Sequence, residues 1–174
     1  MSTSDDLREQ LARQVPELQF IAILFVLLPV FQPFLFPLPL LPATDQACGM
    51  ALAMLAARLI VPPLVMRIHC RQIARGAWSP DWAFNGQVSP TSDAGKLTAV
   101  YGTRLFIAVA LLECAASSLV GAYQIGREPL ALVVAALLIL LIAAHFPTRT
   151  RVAAWVKWQL RLLDDDRQLA QFRR

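Results

Sequence analysis

The chain has 174 residues, of which 57% are hydrophobic and 16% charged, with a net charge of +4. An average soluble domain is about half apolar and about a quarter charged. Here the apolar excess is gathered into long runs between charged segments, the pattern of a polytopic all-α membrane protein. The basic residues flank those runs and do not interleave with aromatics, so they point to anionic lipid headgroups and away from nucleic acid.

Residues 1–17 are polar and form a cytoplasmic N-terminal segment. Ser4-Asp5-Asp6 suits the start of a short amphipathic helix that Pro16 should interrupt after Val15. The acidic residues Asp5, Asp6, Glu9 and Glu17 precede the first apolar run, and no small-residue cleavage site follows it, so that run is expected to be retained. It spans 18–42 and is long enough to cross a hydrocarbon core of about 30 Å. Pro29, Pro33, Pro37, Pro39 and Pro42 crowd its second half. Each removes a backbone donor, so regular helix is expected from Leu18 to about Leu28, with a kinked or unwound stretch after it.

A short turn leads to the second span, 47–66. Gly49, Ala53 and Ala57 recur at every fourth residue, a small-residue seam that lets another helix approach closely. Pro62-Pro63 should kink this helix near its end, and Arg67, Arg71 and Arg75 continue at helical spacing as a basic extension. Residues 76–96 make a long polar loop in which Trp78 and Trp82 are placed to anchor at headgroup level. Ser92 or Asp93 should cap the third helix, whose span is 100–123.

Gln124–Glu128 read as a tight outer turn, and Pro129 suits the first turn of a fourth span, 129–146, ended by Pro147. Residues 148–174 follow as a cytoplasmic amphipathic tail. Its apolar residues, among them Trp155, Trp158 and Leu162, are expected to face the membrane interface. The expectation is therefore a transmembrane domain of four helices over 18–147 in a plasma membrane. Lys and Arg concentrate at both ends and around the 67–99 segment, which puts the termini and that loop on the cytoplasmic side.

Two ionisable residues fall well inside the spans. Counting about 1.5 Å per residue from the outer ends, Arg58 lies at a depth of about 16 Å and Glu113 at about 13 Å. A lone charge there costs at least about 2.5–3.5 kcal/mol on insertion scales. Opposite charge at matched depth therefore predicts an ion pair, or an ion site if the two serve function. Ser117 and Gly121 share the Glu113 face and suit close helix contact. Cys48, Cys70 and Cys114 lie in different segments without a CxxC, and His69, Cys70 and His145 near the inner face show no metal-ligand spacing. No cofactor is expected. No nucleophile, second carboxylate or phosphate loop accompanies Glu113, so no enzyme is expected either. Two readings follow. The first is an accessory, scaffold or assembly subunit of a membrane complex, with other subunits or itself as partner. The second is a small oligomeric transporter or ion-translocating protein using Glu113 and Arg58.

Overall fold

A computed structural model describes residues 3–35, 44–78 and 92–172. Among them are five α-helices and no strand: α1 (Thr3–Leu35), α2 (Thr44–Ala74), α3 (Asp93–Gly126), α4 (Pro129–Ala144) and α5 (Arg149–Phe172). The residues 36–43, with Pro37, Pro39 and Pro42, and the residues 79–91, with Trp82, lie outside the described set.

Three helices carry segments long and apolar enough to cross a membrane: Leu11–Gln32, Asp45–Ala74 and Asp93–Gly126. At 16 residues, α4 reaches about 24 Å, short of a core of about 30 Å. It makes a fourth span only when joined to α5 across the break at residues 145–148.

The helix ends follow from local chemistry. The Ser92 hydroxyl accepts the Gly95 amide at 3.2 Å, so Ser92 caps α3. At the C-terminus of α2, Gly76 takes a φ of 69°, the left-handed conformation that glycine adopts without a Cβ penalty. Its neighbour closes the turn, Ala77 N–H donating to Gln72 at 2.9 Å. Pro129 occupies the first turn of α4, where its missing N–H costs nothing. The α3–α4 turn needs a left-handed residue too, and Arg127 supplies it at φ 55°. Its guanidinium lies 6.0 Å from the centre of the Tyr123 ring.

The expectation that prolines interrupt α1 is corrected. Pro16 does not end a helix, and α1 runs without interruption past Pro29 and Pro33 to Leu35. The helix α2 continues past Pro62 and Pro63 to Ala74, as the helical spacing of Arg67 and Arg71 predicts. A proline inside a helix forfeits one backbone hydrogen bond, and neighbouring helices can re-satisfy the freed carbonyl. Pro29 and Pro62 are both fully buried, so packing holds the helix where local propensity would release it.

The chain divides into two compact units, and α1, α2 and α3 each supply residues to both. The first comprises residues 1–19, 63–104 and 147–174. Its core is Leu11, Val15, Ile73, Leu97, Val100, Val152, Val156 and Leu163, with Trp78 and Tyr101 packed against it. In α5 the buried residues Val152, Val156, Gln159 and Leu163 fall on one stripe at spacings of four and three. Leu18 approaches Gly102 so closely that a Cβ there would sit 3.1 Å from its side chain. Arg167 bridges Asp93 at 2.8 Å.

The second unit comprises residues 20–62 and 105–146. Here α3 is the most covered element: Ala108, Val109, Leu112, Ala115, Ala116, Leu119 and Ala122 are all buried. The alanines on that helix permit close backbone approach. By contrast α4 buries a single stripe, Ala131, Ala135, Leu138 and Ile142. Phe25 meets Phe106 edge to face at 5.5 Å.

Candidate functional site

Two groups of interacting polar residues stand out in the second unit. In the first, Glu113 on α3 is 7% exposed. One turn along, the Ser117 hydroxyl donates to Glu113 Oε1 at 2.6 Å, short enough for a charge-assisted bond. From α1, the amide nitrogen of Gln32 lies 3.4 Å from the Ser117 carbonyl. Its amide oxygen is buried with no hydrogen-bond partner among the described residues.

The second group joins α2 to the end of α4. Arg58 Nη2 lies 2.8 Å from Nε2 of His145, and Nδ1 of the same ring lies 2.7 Å from the Leu141 carbonyl oxygen. A guanidinium only donates and a carbonyl only accepts. The imidazole therefore carries its proton on Nδ1, donates to Leu141 and accepts from Arg58 at Nε2. Both ring nitrogens are engaged.

Sequence reasoning had placed His145 at the inner face and missed it as a partner of Arg58. The match in depth appears once α2 is seen to start at Thr44 and not at residue 47. Arg58 stands 14 residues from the start of α2 and His145 16 from the start of α4, rises of about 21 and 24 Å. A depth comparison restricted to formal charges leaves out a neutral imidazole. The ion pair between Arg58 and Glu113 continues to rest on that depth argument. The contacts described include Arg58 with His145 and Glu113 with Ser117 and Cys114.

The helix-packing seam divides. Ser117 and Gly121 lie half-buried and buried on α3. On α2, Gly49 and Ala53 are exposed and Ala57 half-buried, and nothing comes within 4 Å of a Cβ built on Gly49. At this end of α2 the buried residues are Ala47 and Ala51, on another face.

The tail residues divide as well. Trp155, expected toward headgroups, is half-buried and lies 5.2 Å from Tyr101. It borders the Val152–Val156 stripe that faces the protein. Trp158 and Leu162 are exposed, flanked by exposed Lys157 and Arg161. Trp78, expected at headgroup level, packs on the first unit's core. Cys70 donates to Gln159 at 3.7 Å and His69 lies 3.1 Å from Gln72. No cluster of three or more His, Cys, Asp or Glu side chains forms among the described residues.

Comparison with protein families, characterised proteins and solved structures returned no match for this chain.

Proposed function

We propose that the protein is a non-enzymatic subunit of a plasma-membrane assembly. It would cross the bilayer four times with both termini in the cytoplasm, and its partner would be another membrane subunit or a second copy of itself. One observation carries this reading. Only 11% of the apolar window of α2 is buried, against 67% for α3, and the open side of α2 bears Gly49 and Ala53. Lipid tails are as apolar as leucine, so small residues on an outer helix face gain little from lipid and gain close packing from another helix.

The test is the mass of the particle extracted in mild detergent or a nanodisc, for the native chain and for Gly49→Leu and Ala53→Leu. The expected result is a complex larger than one chain that both substitutions dissociate while helicity is retained. A monomer in every preparation would overturn the assembly reading. The second reading, ion translocation, draws support from the burial of Glu113 and would show as proton or sodium flux in proteoliposomes.

A further inference from the structure

A carboxylate as buried as that of Glu113, in an apolar helix, needs a positive charge or a proton beside it. Its hydrogen-bond partners are the Ser117 hydroxyl and the Cys114 thiol, and neither carries a positive charge. The Ser117 hydroxyl spends its one proton on Glu113 Oε1 at 2.6 Å, which leaves the hydroxyl lone pairs free to bind something else. Gln32 comes from another helix to the same turn, 3.4 Å from the Ser117 carbonyl, with a buried amide oxygen that no donor among the described residues satisfies. An unmet buried acceptor costs about 1–3 kcal/mol. An unmet amide oxygen thus lies beside the turn that carries one formal negative charge.

We propose that Glu113, Ser117 and Gln32 form a binding site for a small monovalent cation, either a proton on the Glu113 carboxyl or a sodium ion. All the groups are hard oxygen donors, which suit a hard cation and not a soft metal. One carboxylate balances one positive charge, which disfavours a divalent ion. The three residues lie on α1 and α3 within one compact unit, so occupancy would tie those helices together. The site goes beyond the assembly role and requires no translocation.

The experiment uses the full chain in detergent and an apolar carbodiimide, which modifies a carboxyl only in its protonated form. Modification of Glu113 is read by mass spectrometry across pH, in sodium or potassium at equal ionic strength, with Glu113→Gln as background. Labelling that rises as pH falls supports the site. Slowing by sodium but not potassium identifies a sodium site, and indifference to sodium identifies a proton site. Ser117→Ala should change the rate of labelling roughly tenfold, because the hydroxyl bound to Oε1 is gone. If sodium protects, Gln32→Leu should raise the sodium required by roughly tenfold. An unlabelled native chain overturns the proposal. If Arg58→Met then becomes labelled, Arg58 is the balancing charge. Unchanged labelling and protection in both Ser117→Ala and Gln32→Leu would also overturn the three-residue site.

Discussion

His145 holds the guanidinium of Arg58 at 2.8 Å through the ring nitrogen that must stay unprotonated, because the other nitrogen donates to Leu141. The arginine is thus bound by a neutral acceptor, and any change that makes this acceptor a donor sets like against like.

That relationship predicts an order of severity. His145→Lys should destabilise the protein more than His145→Leu, since it places a second cation against Arg58. Coupling between His145→Leu and Arg58→Met in a double-mutant cycle should reach about 0.5–3 kcal/mol, as for other residues in contact. Thermal unfolding in detergent measures it. Strict additivity of the two changes would show that the contact carries no energy.

The first unit should behave as a soluble-type core. Leu97 and Val156 are fully buried there, whereas Trp158 is 55% exposed. Leu97→Ala should cost about 2–5 kcal/mol. Trp158→Ala, on the open side of α5, should stay within about 0.5 kcal/mol. Equal losses at both positions would contradict the packing of α5.

The tail should show two kinds of tryptophan. The chain has four, so variants keeping Trp155 or Trp158 and replacing the other three by Phe report each one alone. In vesicles containing brominated anionic lipid, Trp158 fluorescence should be quenched strongly and Trp155, held on Tyr101, weakly. The exposed Lys157 and Arg161 beside Trp158 make binding to anionic headgroups weaken as salt rises. Strong quenching of Trp155 would mean that α5 leaves its core to enter the lipid.

Topology is tested with cysteines introduced singly into a cysteine-free chain. Sites at Asp45 and Gly126 should react with an impermeant reagent from outside intact cells. Sites at Ser4, Ser89 and Gln171 should react only after the membrane is opened. Outside labelling at Ser89 would defeat the arrangement with both ends in the cytoplasm.

Local chemistry and hydrophobic run length were enough to locate α2 to α5. The Ser92 cap, Pro129 in a first turn and the continuation of α2 through Arg67, Arg71 and Arg75 could each be read from neighbouring residues. Each depends on interactions within a few residues of the chain. The burial of Glu113 was legible too, because a charge inside a long apolar run has few other places to be. What only the tertiary structure decided was which side of each helix meets protein. In a soluble helix the polar face marks the outside. A membrane helix is apolar all round, and protein and lipid ask for the same side chains. Nothing in periodicity could therefore separate the buried Ala47 and Ala51 from the exposed Gly49 and Ala53. The same holds for the prolines of α1, whose helix-breaking cost is local while the packing that offsets it comes from other helices. It holds equally for His145, whose role depends on a residue 87 positions away.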